Sequence, residues 1–242
     1  MNKGIKLGIS PLSLVGIALM LLTGCNKDSD DSDTVKDAEG NVYGISKIGD
    51  QVWMKENLRT ISFRDGSWML TGLYDDYEWA SAGAACTVYP YSLIDGFNSE
   101  SDVIDAYGLL YNFYAVSDSR GLCPVGWRVP TDDDWEELVT FLGGEDVAGG
   151  KLKSKRTDPD AHPRWESPNT DATDSYGFAA LPSGYRTSLG QEDEVGYYAT
   201  WWSSTTYNSD LAYTRYVSYS DAAMYVSYGR RRGGYAVRCI KE

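Results

Sequence analysis

The side chains that could do chemistry are limited in kind, because the chain has a single histidine, His162. One imidazole excludes metal sites built from several histidines and leaves a Ser-His-Asp arrangement only one possible base. His162 stands between Ala161 and Pro163 in a loop-like composition, so we expect it to be exposed and inert. The formal charge of −13 argues against nucleic acid as a partner. Composition therefore favours binding over catalysis.

Aromatic and polar residues near predicted turns of the carboxyl-terminal part are candidate contacts for a sugar or for a protein partner. Tyrosine rings stack on apolar faces, and arginines grip carboxylates. The candidates are Tyr207, Asn208, Asp210, Tyr225, Arg230, Arg231 and Arg232. For the three arginines, a solvated turn on an acidic protein is the alternative. Trp201 and Trp202 could also stack on sugars, but we expect both in the core.

Two aspartates are the candidate metal ligands. Asp171 and Asp174 have the short spacing of oxygen ligands and could help to hold a calcium ion. Asx turns at Asn169-Thr170-Asp171 explain the same residues equally well. We expect no cofactor other than this calcium. Hydrolysis of glycans also stays open, because a glycosidase needs only two carboxylates.

The amino terminus has the pattern of an export signal. Two lysines precede an apolar stretch, Leu12 to Leu22, that is too short to span the roughly 30 Å hydrocarbon layer of a membrane. The stretch ends in Leu22-Thr23-Gly24-Cys25, which resembles the lipobox of bacterial lipoproteins. We therefore predict that residues 1–24 are a lipoprotein signal peptide and that Cys25 is lipidated. An ordinary signal peptide with an incidental cysteine is the alternative.

A polar, acidic run follows the cysteine. It has no apolar residue from Asn26 to Asp33, so residues 25–37 are expected to be an acidic flexible tether. The run is similar to the acidic signal that sends lipoproteins of the Bacteroidetes to the cell surface, and a plain spacer is the alternative. The expected location is the outer membrane, with a lipid anchor and exposure at the cell surface.

The remaining chain, residues 38–242, is expected to form one domain, because no linker or charge block divides it. Two extended runs around Gly49-Asp50 predict a β-hairpin. Residues 60–105 have no sustained hydrophobic period and are expected to be mostly loop.

The clearest helix begins after Thr131, which can cap it, and has its apolar face at Trp135, Leu138, Val139 and Leu142. Alternation beyond residue 197 predicts three short antiparallel strands, over residues 211–219, 224–228 and 235–240. The elements together predict an α+β domain.

Six segments, taken in order, resemble a known family. They are Val52–Leu58, Tyr107–Asn112, Cys123–Thr131, Tyr176–Arg186, Trp201–Thr205 and Ala236–Cys239. Together they are similar to the Fibrobacter succinogenes major paralogous domain, which is found in many bacterial lipoproteins. The resemblance implies a C-type-lectin-like mixed fold, grouped with formylglycine-generating enzymes, with short antiparallel strands, one or two helices and long loops.

The resemblance also has implications for the cysteines. Cys123 and Cys239 correspond to a disulfide between the helix approach and the last strand of this fold group, which leaves Cys86 over. Three reduced, buried cysteines are the alternative. The enzyme branch of the group uses a reactive cysteine pair, and no close pair exists here. The calcium-and-sugar signature of C-type lectins is also missing, apart from a faint likeness at Ser167-Pro168-Asn169.

The expected function is that of a lipid-anchored, non-catalytic binding protein of the outer membrane or cell surface, which contacts glycans or acts as an adhesin. A structural accessory subunit of an envelope protein complex is the first alternative, and a glycan-active enzyme is the second.

Overall fold

The computed structural model describes Met1, residues 33–72 and residues 75–242. The described strands are β1 (Thr34–Lys36), β2 (Val42–Ile48), β3 (Gln51–Met54), β4 (Cys86–Thr87), β5 (Leu110–Tyr111), β6 (Trp127–Arg128), β7 (Ser183–Arg186), β8 (Glu192–Val195), β9 (Tyr198–Thr206), β10 (Leu211–Ser218), β11 (Met224–Arg230) and β12 (Ile240–Lys241). The described helices are α1 (Asp76–Ser81), α2 (Glu100–Tyr107), α3 (Phe113–Val116), α4 (Asp132–Phe141) and α5 (Glu145–Leu152). This mixture of helices and mainly antiparallel strands is an α+β architecture.

The first sheet has the strand order β1-β2-β3-β12-β6. Its β2–β3 hairpin turns at Gly49 and Asp50, as predicted, and Gly49 takes the positive φ of 63° that such a turn needs. Strand β1 lies within the segment predicted to be a tether. It is ordered because Val35 pairs with Tyr43 and the Asp37 carboxylate accepts the Tyr43 hydroxyl at 2.6 Å. The folded chain therefore begins before residue 37.

The prediction of a last strand over residues 235–240 is largely wrong. Only Ile240–Lys241 form a strand, and this strand joins the first sheet between β3 and β6. Residues 234–236 make isolated bridges to Arg186, Tyr111 and Trp201 instead. The alternation of apolar residues there reflects burial between elements and not a hairpin with β11.

The second sheet has the strand order β11-β10-β9-β7-β8, with β7 and β9 parallel. The predicted β10–β11 hairpin is confirmed, with Val217 opposite Met224 and Thr214 opposite Ser227. Trp201 in β9 is fully buried, as is Trp202, which confirms the prediction that this pair belongs to the core.

Helix α4 confirms the prediction made from its cap and its apolar face. The Thr131 hydroxyl accepts the Asp134 N–H at 3.2 Å, and the Asp134 carboxylate accepts the Thr131 N–H at 2.6 Å, which completes a capping box. Trp135 packs against Trp53 with ring centroids 4.6 Å apart and against Trp201 at 5.8 Å. The helix is thereby fixed on the buried face of the second sheet.

The stretch predicted to be mostly loop contains two short helices that sequence reasoning missed. Asp75 accepts the N–H groups of Tyr77 and Glu78 and begins α1, and Ser99 accepts the Asp102 N–H and begins α2. Trp79 is the buried residue of α1, so no repeated apolar pattern was available to predict that helix.

The predicted disulfide is present. Cys123 and Cys239 are bonded, and the bridge joins the loop before α4 to the residue before β12. Cys86 is a free, buried thiol whose pKa is raised by burial, so it is protonated and unreactive.

Candidate functional site

The second sheet has one buried face and one half-open face. Trp201, Val217 and Met224 point from neighbouring strands into the core. Because side chains alternate along a strand, Tyr216 and its cross-strand partners Thr200 and Tyr225 lie on the opposite face. That face is covered by neither α4 nor α5 and forms the floor of a cleft.

We call this cleft the tyrosine cleft. Its volume is about 320 Å³, and it is lined by Tyr185, Glu194, Tyr198, Thr200, Thr214, Tyr216, Ser227 and Tyr235. The residues come from β7, β8, β9, β10 and β11 and from the segment before β12. The size lies at the lower end of the roughly 300–1,000 Å³ of small-molecule sites.

The tyrosine rings of the cleft are held by neighbouring rings. Tyr216 stacks on Tyr225 with centroids 4.8 Å apart and an interplanar angle of 17°. Tyr235 packs edge-on against Trp202 at 4.7 Å. Gly229 permits this contact, because a Cβ there would lie 2.5 Å from the Tyr235 ring. The ring positions are therefore fixed before any ligand binds.

The hydroxyl groups of the cleft are unused by the protein. Seven of them line it, from Tyr185, Tyr198, Tyr216, Tyr235, Thr200, Thr214 and Ser227, and within residues 33–72 and 75–242 none forms a hydrogen bond. Burial raises the pKa of Tyr235 to about 12 and also raises the pKa of Tyr216, so both phenols stay protonated near neutral pH. Each hydroxyl can thus both donate and accept a hydrogen bond to a ligand.

Glu194 is the one charged side chain among the lining residues. Its φ is +64°, a conformation that non-glycine residues rarely adopt. Burial and the neighbouring Asp193 raise the pKa of its carboxyl group. The cleft therefore combines aromatic faces, unpaired hydroxyls and a single acid.

The family of the chain follows from one comparison. The family model of the Fibrobacter succinogenes major domain matches residues 46–241. The chain belongs to this family. No curated protein and no solved structure matches it.

Five of the six segments that resemble the Fibrobacter succinogenes major domain meet in the core, around Asn57. Asn57 Oδ1 accepts the Trp201 indole N–H at 2.9 Å and two N–H groups of Arg238 at 3.1 and 2.8 Å, and Asn57 Nδ2 donates to Tyr107 O. Arg238 also donates to Phe178 O and stacks on the Phe178 ring. We call these residues the Asn57 hub. The shared motifs of the family thus serve the core of this chain.

The predicted contact residues are divided among several surfaces. Asp210, Arg230, Arg231 and Arg232 lie together in a second cleft of about 620 Å³, which also includes Tyr114 and Leu189. We call it the arginine cleft. Arg231 there is tied to the protein, because it donates to Thr206 Oγ1 and to Asn208 O, each at 3.3 Å.

The other predicted contact residues lie outside the arginine cleft. Tyr207 is exposed and packs on Tyr228 with centroids 4.2 Å apart. Asn208 Oδ1 accepts the N–H groups of Asp210 and Leu211, so this oxygen stabilises the turn. Tyr225 lies beside the tyrosine cleft, where it stacks on Tyr216.

One of the two candidate calcium ligands is hydrogen-bonded within the loop. Asp174 Oδ1 accepts the Ala179 N–H at 2.8 Å, and both Asp171 and Asp174 have positive φ. Among the described residues, no group of three or more His, Cys, Asp or Glu side chains is placed to hold a metal ion. Calcium binding there stays an untested prediction.

The expectation that His162 is exposed and inert is wrong in its first part. The ring is half-buried, its Nδ1 lies 2.8 Å from the Tyr107 hydroxyl, and it packs against Phe97. Burial lowers the pKa of His162, so the ring is neutral at pH 7. Its contacts are those of a packed loop residue.

Cys25, the predicted site of lipidation, lies outside the described residues. Over residues 33–72 and 75–242, no helix has the length and apolar character needed to cross a membrane.

None of the eight residues that line the tyrosine cleft is among the contact residues predicted from the sequence, and only Tyr225, which stacks on Tyr216, lies beside it. The parallel pairing of Gly184 with Ala199 brings β7 beside β9. The alternation in Tyr198-Ala199-Thr200 and in Thr214-Arg215-Tyr216 was the available signal, since it places tyrosine and threonine on one face.

Proposed function

We propose that this chain is a lipid-anchored, non-catalytic binding protein of the outer membrane or cell surface that contacts glycans through the tyrosine cleft. The observation that carries the proposal is the set of seven hydroxyls, four of them on tyrosine rings, that line the cleft and form no hydrogen bond within the part of the chain that the structure describes. A C-type-lectin-like relation of the fold is part of the same proposal and comes from the family resemblance.

The chemistry of the cleft is complementary to that of a sugar. A pyranose ring has apolar C–H faces and a rim of hydroxyls, each of which donates and accepts hydrogen bonds. Tyrosine rings offer flat apolar surface to the faces, and the unpaired hydroxyls of Thr200, Thr214 and Ser227 can bond to the rim. A cleft of about 320 Å³ suits a short stretch of a saccharide chain.

The cleft favours binding over hydrolysis. Glycoside hydrolysis in most families uses a pair of carboxyl groups about 5 to 9.5 Å apart. Glu194 is the one carboxylate among the lining residues. A glycan-active enzyme would therefore need its second acid from outside the cleft, and we retain that reading only as an alternative.

The binding test compares tyrosine variants on a glycan array with the full-length chain purified in a mild detergent. Tyr216→Ala should weaken binding about tenfold at every ionic strength, because the loss of a stacked ring is worth about 1.5 kcal/mol and is little screened by salt. Tyr77→Ala is the matched control, because Tyr77 is 80% exposed and lies outside the cleft.

Two outcomes would contradict this site. If Tyr216→Ala binds as well as the unchanged chain while Arg230→Ala loses binding at low salt, contact is made at the arginine cleft. If no glycan binds and an envelope protein is retained instead, the accessory-subunit alternative replaces the proposal.

The anchor has its own test. A Cys25→Ser chain should move from the membrane fraction to the soluble fraction, because acyl chains supply the membrane affinity. Unchanged partition into the detergent phase would remove the lipoprotein part of the proposal.

A further inference from the structure

The charge of the tyrosine cleft indicates which glycans it prefers. Glu194 is the one charged side chain that lines it, and within the described part of the chain its carboxylate forms no ion pair or hydrogen bond. Its acidic neighbour Asp193 adds negative potential from the same strand. Arg186, the nearby cation, is engaged with Glu192 at 3.3 Å and with Gly190 O at 2.6 Å.

The backbone at Glu194 supports a role in binding. A φ of +64° is strained for a glutamate, and such conformations cluster where ligands are held. A glycine would adopt the same φ without strain. The glutamate therefore stands where stability alone would favour glycine.

The rings add to the attraction for a positive charge. The π faces of tyrosine attract ammonium groups, and the attraction is stronger where water is partly excluded. Tyr185, Tyr198 and Tyr216 line the same cleft as Glu194. A carboxylate beside several tyrosine rings is an arrangement suited to an ammonium group.

We propose that Glu194 and the adjacent tyrosine rings form a cation subsite of the tyrosine cleft that holds the protonated amine of an amino sugar. This inference rests on the proposed function, because it names the class of glycan that the same cleft takes. The hydroxyls of Thr200, Thr214 and Ser227 bind the sugar hydroxyls, and Glu194 distinguishes an ammonium from a neutral substituent.

The test uses three matched oligosaccharides and calorimetric titration of the full-length chain in a mild detergent. The ligands are a β-1,4-linked glucosamine tetramer, its N-acetylated counterpart and the corresponding glucose tetramer. At about pH 6, below the ordinary pKa range of amines, the glucosamine tetramer should bind about tenfold more tightly than either neutral ligand. Added salt should reduce this preference, because it screens the charges.

Substitutions test whether Glu194 causes the preference for the glucosamine tetramer. Glu194→Gln should bind all three tetramers with similar affinity. Glu137→Gln makes the same change of charge at an exposed position of α4, outside the cleft, and should keep the preference. Glu194→Gly suits the positive φ, so it should fold and also lose the preference, which covers the case in which Glu194→Gln is misfolded.

The outcomes separate the inference from the proposed function. If the neutral tetramers bind and the amine adds nothing, or if Glu194→Gln keeps the preference, the cation subsite is refuted while glycan binding stands. If no tetramer binds and the array is also negative, the proposed function fails. Choline that binds as tightly as the glucosamine tetramer would overturn the assignment to a sugar.

Discussion

Replacing Asn57 should destabilise the core strongly, because one buried amide group holds side chains or backbone from several distant segments of the chain. Asn57 is 5% exposed, and its amide accepts from Trp201 and Arg238 and donates to Tyr107 O. Asn57→Leu keeps a similar volume but removes all of these bonds. The Trp201 indole N–H, the Arg238 guanidinium and one carbonyl are then left buried without that partner.

The expected loss of stability in Asn57→Leu follows from the buried groups that lose their hydrogen-bond partner. A buried polar group that loses its partner costs about 1 to 3 kcal/mol, and a charged one costs more, so the total is about 5 kcal/mol or more. This equals a large part of the roughly 5 to 15 kcal/mol by which domains are stable. Asn57→Asp should lose less, because its oxygens still accept from Trp201 and its charge pairs with the buried Arg238.

Urea denaturation followed by tryptophan fluorescence measures these differences. Asn208→Leu is the matched control, because Asn208 is exposed and its loss should cost about 1 kcal/mol. The expected order of stability is unchanged chain, Asn208→Leu, Asn57→Asp, Asn57→Leu. Equal losses of about 1 kcal/mol for the two leucine variants would refute the role of the Asn57 hub.

Three further predictions concern the disulfide, a buried lysine and helix α4. Replacing Cys123 and Cys239 by alanine should lower the free energy of unfolding by about 4 to 5 kcal/mol, because the bridge spans 116 residues, and peptide mapping without reductant should find the two linked. Burial lowers the pKa of Lys153 from 10.5 to about 8, so the unfolded chain binds more protons between these values. In urea denaturation, the free energy of unfolding of the unchanged chain should therefore rise by about 2 kcal/mol relative to that of Lys153→Met from about pH 8 to 10. Trp135→Ala should cost about 3 to 5 kcal/mol and Thr131→Ala about 1 kcal/mol in thermal unfolding, whereas equal small losses would mean that α4 is peripheral.

Elements with local signals were predictable from the sequence. Thr131 and Asp134 cap α4 within four residues, and Gly49 and Asp50 close their hairpin within two. Helix α1 was missed because its one buried residue, Trp79, gives no repeat. The end of the chain was assigned to the wrong partner, since alternation alone does not indicate which strand a residue pairs with.

The burial of two arginines could also not be predicted from the sequence. Arg215 and Arg238 are 1% and 2% exposed, yet arginine is ordinarily a surface residue. Arg215 is buried because Asp132, in the first turn of α4, accepts its Nη2 at 2.8 Å. The partner lies 83 residues away, so only the folded chain brings the two together.

The position of the family motifs limits what membership of the family implies about ligands. Asn57, Phe178, Trp201 and Arg238 all lie in segments that carry the resemblance, and they meet at the Asn57 hub. In the tyrosine cleft, by contrast, Glu194, Tyr198, Tyr216 and Tyr235 lie outside all six segments, and Tyr185 lies inside one. The resemblance thus predicts the core of the domain, whereas the proposed ligand contacts are mainly side chains that the shared motifs do not include. Variants at Asn57 should therefore change stability first, and variants at Glu194 or Tyr216 should change binding with the fold retained.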